Sequence, residues 1–263
     1  MEFNFCSFSS GSSGNCYFIK SKETVLLVDA GISARRIVVA LDERGFSTSD
    51  VSGVLITHEH NDHVKGLRVL LKKLGGTPAF ANKKTWDCID SSEFSECCQT
   101  FKTGEAFFIG DILVKPFATV HDAAEPVGYS FISQDRKLSI VTDTGILKPE
   151  LIKEISDSDT IVLEANHEEA MLKLGKYPYF LKRRILGDHG HLSNQAAADG
   201  ICQILGEGKK QPNILFAHLS RENNRPETVL QTVREAFSIK GYSFEEASME
   251  ILLSDCISSI YSV

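Results

Sequence analysis

The sequence predicts an α/β fold in which sheets pack on each other with helices on the outside. Three observations support this prediction. Short runs rich in Val, Ile, Leu and Phe recur along the chain and are bounded by Gly, Pro, Asn or Asp, as β-strands usually are. Helical patterns lie between several of these runs. The strand-like runs also come in consecutive pairs rather than in strict β-α-β alternation, which favours packed sheets.

The boundaries of the elements follow from composition and spacing. The predicted strands cover residues 3–8, 17–20, 25–29, 54–57, 112–119, 127–133, 138–143, 160–164, 214–218 and 250–253. The predicted helices cover residues 33–44, 64–74, 195–205 and 226 to about 238. Ser193 is a suitable N-cap for the third helix, and Pro226 a suitable first residue of the fourth. Because no repeat, low-complexity tract or linker interrupts the chain, we predict a single domain over residues 1–263.

Composition and charge narrow the class of protein. The chain has 263 residues, of which 42% are hydrophobic and 24% charged, as in ordinary globular proteins. Its formal net charge of −7 excludes a general basic surface for nucleic acid, so any site for a polyanion must be local or must use metal ions. No apolar run is long enough to span a membrane, and the first residues lack the pattern of a signal peptide. We therefore expect a cytoplasmic protein with reduced cysteines.

The most informative segment is T-H-E-H-N-D-H at residues 57–63, directly after the apolar run 53–56. Three of the eight histidines of the chain lie in it. Buried imidazoles each need hydrogen-bond partners and repel one another when protonated, so a shared cation explains the cluster best. His58 and His60 face the same side if the backbone is extended. Asp62 and His63 then turn towards a second position as a helix begins.

Further residues of metal-binding types recur at the ends of predicted strands. They are Asp29, His121, Asp143, Glu164 and His218. Loops at one edge of a rigid sheet are where functional sites are usually built, so these side chains are candidates for the same site. For each of them a structural role stays open, because a single histidine is often a hydrogen-bonded surface residue. Asp29 and Asp143, each two residues before a Gly, can equally be turn-forming residues.

These motifs resemble a known family. The series formed by Asp29, the cluster, His121, Asp143 and His218, in that order along the chain, is similar to the signature of the metallo-β-lactamase superfamily. Five longer segments resemble its bacterial YycJ/WalJ branch: S-G-S-S-G-N at 10–15, L-E-A-N-H at 163–167, Y-P-Y-F-L-K-R-R-I-L at 177–186, G-H-L-S-N at 190–194 and A-H-L-S-R-E-N-N at 217–224. The resemblance implies a four-layer αβ/βα sandwich of two mixed sheets, with a metal site at one edge. It also implies a 5′→3′ exonuclease that acts on single-stranded DNA.

The resemblance also implies the roles of individual residues. His58, His60 and His121 would hold one divalent ion, and Asp62, His63 and His218 a second. Asp143 would bridge the two ions, with Asp29 and Glu164 supporting the ligands from behind. The ligands suit Mn²⁺ or Zn²⁺, and Fe²⁺ stays open.

The resemblance further implies that Asp62, Asp143 and His191 are catalytic. A hydroxide shared by the two ions would attack phosphorus in line, while His191 protonates the leaving oxygen. The alternative for His191 is a structural role at the start of the helix near Ser193.

Residues around these positions are predicted to contact substrate. They are Ser12, Ser13, Asn15, His167, Lys182, Arg183, Arg184, Ser220, Asn223 and Asn224. The Gly/Ser-rich loop can offer backbone N–H groups to a phosphate, or can simply join two strands. Tyr177, Tyr179 and Phe180 can stack on unpaired bases or pack as core or lid. His167 either touches substrate or holds its loop, and His189 is expected to be a bystander.

The sequence thus predicts a dinuclear metal-dependent phosphodiesterase whose partner is single-stranded DNA. The alternatives are a phosphodiesterase for small or cyclic phosphates, another hydrolase of the same fold, and a metal-bound regulatory protein. No membrane partner is expected, and a homo-oligomer is left open. The sequence does not distinguish the native metal, DNA from RNA, or the direction of digestion, for which the resemblance is the sole basis.

Overall fold

A computed structural model provides the fold and describes residues 3–208, 210–244, 248–254 and 256–263. Its strands form two seven-stranded sheets. Each sheet contains both parallel and antiparallel pairs, which confirms the predicted α/β class with two mixed sheets. The Cα positions divide into two compact units. Unit 1 comprises Met1–Ala118, Ala123–Arg136 and Leu253–Val263, and unit 2 comprises Thr119–Asp122 and Lys137–Leu252.

Unit 1 contains all seven strands of one sheet. They are β1 (Asn4–Ser9), β2 (Cys16–Lys20), β3 (Val25–Val28), β4 (Val51–Leu55), β5 (Ala79–Asn82), β6 (Cys98–Phe101) and β14 (Tyr261–Ser262). Their order is β14-β1-β2-β3-β4-β5-β6, antiparallel up to β3 and parallel from β3 to β6. Unit 1 also contains an antiparallel group of three, β7 (Phe107–Ile109), β8 (Ile112–Ala118) and β9 (Val127–Ser133).

The helices of unit 1 follow strands of its parallel half. They are α1 (Ala34–Glu43), α2 (Asn61–Val64), α3 (Leu67–Leu74) and α4 (Lys83–Asp87). Helix α1 begins at Ser33, whose hydroxyl accepts a hydrogen bond from the N–H of Arg36. Helix α3 buries its leucines at positions 67, 70, 71 and 74, which is the spacing of one helical face, and ends at Gly75 with φ of 63°. These caps and apolar stripes fix where the loops that carry the candidate residues begin.

Unit 2 is built on four parallel strands. They are β10 (Arg136–Val141), β11 (Thr160–Glu164), β12 (Asn213–Ala217) and β13 (Met249–Ile251), in the order β13-β12-β11-β10. All five residues of β11 are buried, as expected for a parallel strand covered on both faces. The helices are α5 (Pro149–Ile155), α6 (Glu169–Leu174), α7 (Tyr179–Ile185), α8 (Asn194–Gly206) and α9 (Pro226–Lys240).

The predicted elements agree with the structure to within a few residues, with one informative exception. Strands predicted to reach Asp29, Asp143 and His218 end one or two residues earlier, at Val28, Val141 and Ala217. Several short elements were not predicted, namely β5, β6, β7, β14, α2 and α4 to α7. The predicted caps of α8 and α9 are confirmed, because Ser193 accepts a hydrogen bond from Ala196 and Pro226 opens its helix.

Two further expectations concern the environment of the chain. All seven cysteines are free thiols. In the part of the chain that the structure describes, no helix is both long and apolar enough to cross a membrane.

Candidate metal centre

In both units the candidate residues lie at the carboxyl ends of neighbouring parallel strands. In unit 1, Asp29 follows β3 and the segment 57–63 follows β4, and these two strands pair in parallel. In unit 2, Asp143 follows β10, Glu164 ends β11 and His218 follows β12. Because the carboxyl ends of adjacent parallel strands meet at one edge of a sheet, each unit brings its polar side chains together there.

Three of these residues have an unusual backbone. Asp29, Asp143 and His218 adopt left-handed conformations, with φ of 62°, 55° and 57°. Residues other than glycine rarely do so, because Cβ then crowds the following carbonyl group. Such strain persists where surrounding structure enforces it, and it is concentrated at functional sites. In each case the left-handed residue lies one or two residues after the end of a strand.

Asp29 anchors the histidine-rich segment 57–63 of unit 1. Its fully buried carboxylate accepts hydrogen bonds from the backbone N–H of Thr57, at 2.9 Å, and from Nδ1 of His63, at 2.7 Å. Burial raises the pKa of Asp29, and the His63 and Thr57 contacts oppose this rise. Because Nδ1 of His63 donates to Asp29, the lone pair lies on Nε2, the nitrogen available to a metal.

The ring nitrogens of His58 and His60 are placed as two ligands of one ion would be. Nε2 of His58 lies 3.1 Å from Nδ1 of His60. Two nitrogens that bind one tetrahedral ion at about 2.0–2.1 Å are separated by about 3.3 Å, so this pair fits a shared cation. Nε2 of His63 and Oδ2 of Asp62 are 3.5 Å apart and form a second pair of the same kind. Unit 1 therefore offers donors for two metal positions.

The loop after β1 packs tightly under this cluster. The N–H of Asn15 donates to the carbonyl oxygen of Asp62 at 2.8 Å, and Nδ2 of Asn15 lies 3.2 Å from Nε2 of His63. At Gly31, a Cβ atom would lie 1.6 Å from the carbonyl oxygen of Asp62, so no larger residue fits there. Ser12 and Ser13 are exposed, whereas Asn15 is buried. Asn15 thus supports segment 57–63, and contact of Ser12, Ser13 and Asn15 with substrate stays a prediction.

Glu164 organises the cluster of unit 2. Its Oε1 accepts hydrogen bonds from Nδ1 of His191, at 2.7 Å, and from Nδ1 of His218, at 2.9 Å. Its Oε2 accepts from the backbone N–H groups of Thr144, at 3.0 Å, and Leu192, at 3.4 Å. Burial alone would raise the pKa of Glu164, but the two histidines together lower it to about 2. The carboxylate therefore stays ionised and fixes both imidazole rings with Nε2 as the outward nitrogen.

His121 and Asp143 complete the donor set of unit 2. Nδ1 of His121 donates to the carbonyl oxygen of Gly190 at 2.9 Å, which again leaves Nε2 for a ligand. That Nε2 lies 3.7 Å from Oδ1 of Asp143. Burial lowers the pKa of His121, so the ring is neutral and able to bind a cation. The ligand atoms of Asp143, Glu164, His191 and His218 all lie within 4.8 Å of one another. Buried carboxylates and neutral imidazoles are the donors that divalent transition metals prefer.

Other residues predicted to bind substrate have different surroundings. His167 is 1% exposed, and neither of its ring nitrogens has a partner among residues that the structure describes. Burial lowers the pKa of His167 to about 4. The amide of Asn224 is buried and donates to the carbonyl oxygen of Ala165 at 2.8 Å. Ser220 and Asn223 are also buried and bond to each other. These three residues hold the loop after β12, and their contact with substrate stays a prediction.

The basic run on α7 is partly engaged within unit 2. Nζ of Lys182 donates to the carbonyl oxygens of Lys173 and Gly175, at 2.8 and 2.7 Å. Arg184 forms two hydrogen bonds with Asp122, at 2.5 and 3.0 Å. Arg183 and the bystander His189 are exposed.

Sequence reasoning gave no role to two residues that contribute to the clusters. The Thr57 hydroxyl lies within 3.2 Å of the Asp29 carboxylate and of Nδ1 in both His58 and His63. Asp122 contacts two residues: its Oδ1 lies 3.3 Å from Nε2 of His121, and its Oδ2 pairs with Arg184. Their positions beside ligand histidines were the available signal, but one threonine or aspartate in a loop also has ordinary structural uses.

Comparisons with known proteins agree with this arrangement. The sequence profile of the Beta-lactamase superfamily domain matches residues 24–212. The chain is 38% identical over 250 residues to "Exodeoxyribonuclease YycJ" of Bacillus anthracis, covering 94% of both chains. It is 37% identical over 236 residues to "Exodeoxyribonuclease WalJ" of Streptococcus pneumoniae, covering 88% of this chain and 87% of that one.

A solved structure shows a similar fold. The metallo-beta-lactamase fold protein YhfI from Bacillus subtilis superposes with a TM-score of 0.73, covering 98% of this chain and 100% of that chain. At 14% sequence identity this likeness concerns the fold alone.

Proposed function

The chain belongs to the beta-lactamase superfamily of metal-dependent, metallo-β-lactamase-fold hydrolases and, within it, to the YycJ/WalJ family, and on this basis we propose that it is a 5′→3′ exonuclease for single-stranded DNA. The relatives are exodeoxyribonucleases by name and match nearly the whole chain, which supports a nucleic-acid substrate. The observation that carries the proposal is the donor set itself. In histidines of both units, Nδ1 is tied to a carboxylate or carbonyl group, which fixes the ring so that Nε2 can serve as a metal ligand.

The proposed centre holds two divalent ions. Unit 1 would supply His58, His60, Asp62 and His63 as ligands, and unit 2 would supply His121, Asp143 and His218. The short nitrogen–nitrogen distance within the His58–His60 pair supports this assignment, as does the burial of Asp29 and Glu164 behind the ligands. When bound, such ions lower the pKa of an attacking water and neutralise the charge on the phosphate. The carboxylates of Asp62 and Asp143 would hold these ions beside the reacting phosphate.

His191 is the proposed acid for the leaving oxygen. Its Nδ1 is held by Glu164, so a proton on Nε2 is the one that it can give away. The buried Glu164 carboxylate compensates the positive charge of the protonated ring. The His191 side chain is 15% exposed, whereas that of His218, which shares the same carboxylate oxygen, is 1% exposed. His191 is therefore the more accessible of the two histidines to a substrate atom.

The test is digestion of end-labelled single-stranded DNA, with and without a 5′-phosphate, in Mn²⁺ and separately in Zn²⁺. We expect stepwise shortening from the 5′ end, and its loss in Asp143→Ala and His191→Ala variants. Asp87→Ala is the matched control, because Asp87 is an exposed acid that pairs with Lys83 on α4. RNA, duplex DNA and bis-p-nitrophenyl phosphate serve as parallel substrates.

Each other outcome has a defined meaning. Hydrolysis of the small ester without hydrolysis of DNA would favour a small-molecule phosphodiesterase instead. Equal rates on RNA would broaden the substrate class. The absence of any metal-dependent cleavage would refute the phosphodiesterase assignment and leave a regulatory role.

A further inference from the structure

Helix α7 and the segment before it present large apolar side chains to solvent. Tyr179 is 76% exposed, Phe180 74% and Leu174, at the end of α6, 88%. The sequence left open whether the two rings stack on bases or pack in the interior, and their exposure excludes interior packing. Single exposed apolar residues are ordinary, but three at the junction of two consecutive helices make a patch suited to a ligand. We call Leu174, Tyr179, Phe180 and Arg183 the aromatic–basic surface.

Positive charge accompanies these rings. The guanidinium carbon of Arg183 lies 6.0 Å from the centroid of the Tyr179 ring, one helical turn away. Among residues 3–208, 210–244, 248–254 and 256–263, no carboxylate pairs with Arg183. The chain as a whole carries a net charge of −7, so the positive charge of Arg183 beside the exposed rings differs in sign from that of the whole molecule. The chemistry of the surface is complementary to an anionic ligand that also has flat apolar faces.

The surface is fixed to the candidate catalytic residue of the same unit. The N–H of His191 donates to the carbonyl oxygen of Ile185, the last residue of α7, at 3.1 Å. A Cβ atom at Gly190 would lie 2.2 Å from that same oxygen, so the chain before His191 packs directly on the helix. At the other end, Lys182 ties α7 to the end of α6 through the Lys173 and Gly175 carbonyl oxygens. The rings are thus held at a set position relative to His191.

We propose that the aromatic–basic surface binds unpaired bases of a nucleic-acid strand whose scissile phosphodiester lies at His191. This inference rests on the proposed nuclease function. Tyr179 and Phe180 would each stack on a base, and Arg183 would contact the strand's phosphates. Bases within a duplex have both faces covered by their neighbours, so the surface selects single strands. Continuity with His191 and the charge of Arg183 favour a nucleic acid over a second protein chain as the occupant.

The experiment compares the double variant Tyr179→Ala/Phe180→Ala with the wild-type holoenzyme. Phe108→Ala is the matched control, because Phe108 is an aromatic residue of β7 in unit 1 that is 70% exposed. The probes are a fluorescein-labelled phosphorothioate oligo(dT) for binding, unmodified single-stranded DNA for kinetics and bis-p-nitrophenyl phosphate for the chemical step. We expect Kd and KM for DNA to rise roughly tenfold or more in the double variant, with small-ester hydrolysis unchanged.

A gain-of-signal variant provides a direct readout. Phe180→Trp should retain binding, and its fluorescence should be quenched by oligo(dT). The single native tryptophan, Trp86, is 9% exposed and gives the background signal, which the wild-type protein measures.

Equal Kd values for the double variant and the Phe108 control would overturn the inference. It would also be overturned if the double substitution changed the sedimentation of the free protein and left DNA affinity intact, because a second copy would then cover the surface. If wild-type protein binds oligo(dT) through the two rings but cleaves no single-stranded DNA, the surface is supported and the nuclease function fails. If it cleaves DNA and the double variant does so equally well, the surface alone fails.

Discussion

At the scale of single residues, Glu164 shows how a buried carboxylate can stay ionised and orient neighbouring histidines. An isolated buried carboxylate would take up a proton, because burial disfavours the charged form. Four donors surround the Glu164 carboxylate. Two of them, the His191 and His218 rings, lower its pKa to about 2 against the effect of burial. The same contacts fix the tautomers of His191 and His218. In the proposed centre, a residue behind the ligands thus determines which nitrogens the histidines present.

Glu164→Gln tests this role with nearly the same side-chain shape. An amide has one acceptor and one donor end, so it cannot satisfy four donors in either orientation. We expect kcat/KM for bis-p-nitrophenyl phosphate to fall by roughly ten- to a hundredfold, with weaker retention of metal on dialysis. Metal content by elemental analysis and steady-state rates measure the two effects. Glu235→Gln, an exposed substitution on α9, should change neither, and an unaltered Glu164→Gln enzyme would contradict the proposed role.

His167 gives a prediction about pH and stability. The native pKa is lowered to about 4 by burial, whereas an unfolded chain has a histidine pKa near about 6.5. As the pH falls below the pKa of the histidine in the unfolded chain, the unfolded chain gains a proton that the native chain does not. The contribution of His167 to the free energy of unfolding is therefore fully present above a pH of about 6.5 and is lost as the pH falls towards about 4. At pH 5 this loss is about 2 kcal/mol.

The measurement is urea unfolding of wild-type protein and His167→Gln at pH 7.5 and pH 5. The variant cannot gain a proton at this position, so its loss of stability between the two pH values should be smaller by that amount. Because the other histidines are common to both proteins, the difference isolates residue 167. Equal losses of unfolding free energy in the two proteins would show that the native structure does not lower the pKa of His167.

At the scale of elements, the strand ends could be predicted but the turns after them could not. Val, Ile and Leu runs identified β3, β10 and β12 within two residues, because buried parallel strands are continuously apolar. The left-handed conformations of Asp29, Asp143 and His218 follow from packing at the sheet edge, which no local pattern encodes. Strand β6 and helix α7 were missed because both are largely exposed and lack an apolar period.

Two substitutions at the left-handed residue Asp143 distinguish the effect of backbone strain from the effect of losing the carboxylate. Asparagine adopts this conformation readily and alanine does not. Asp143→Asn and Asp143→Ala should both abolish phosphodiesterase activity, but alanine should lower the free energy of unfolding by about 1 kcal/mol more than asparagine. Urea unfolding in EDTA gives this difference without a contribution from bound metal.

Gln134 is the matched control for that comparison, because it is exposed, lies outside the candidate site and has φ of 57°. Its asparagine and alanine variants should differ by a similar amount and remain active. If asparagine and alanine are equivalent at residue 143 but differ at residue 134, then the backbone at Asp143 carries no strain.

At the scale of the whole molecule, the sequence indicates which residues matter better than how the chain is partitioned. The ligand types could be read from the cluster at 57–63 and from the order of the family motifs. The division into two compact units could not, because unit 1 contains three separate stretches of chain with no change in composition between them. The chain even passes from unit 1 to unit 2 inside a strand, between the first two residues of β10. A single domain over residues 1–263 stays a prediction.

The charge of the whole molecule leads to a last prediction, on how salt affects DNA binding. The net charge is −7, and Lys182 and Arg184 are already bonded within unit 2, so Arg183 is the remaining member of the basic run on α7 for contacts with phosphates. The affinity for oligo(dT) should therefore depend weakly on salt, with a log–log slope of about −2 to −3, the value for three or four phosphate contacts. Arg183→Ala should reduce that slope by about 0.7, whereas Arg35→Ala, an exposed arginine of α1, should leave it unchanged. Fluorescence anisotropy across a KCl series at fixed Mn²⁺ measures both. A slope near −7 would instead require about ten contacts. It would show that binding depends on a long basic track rather than on stacked bases and the metal centre.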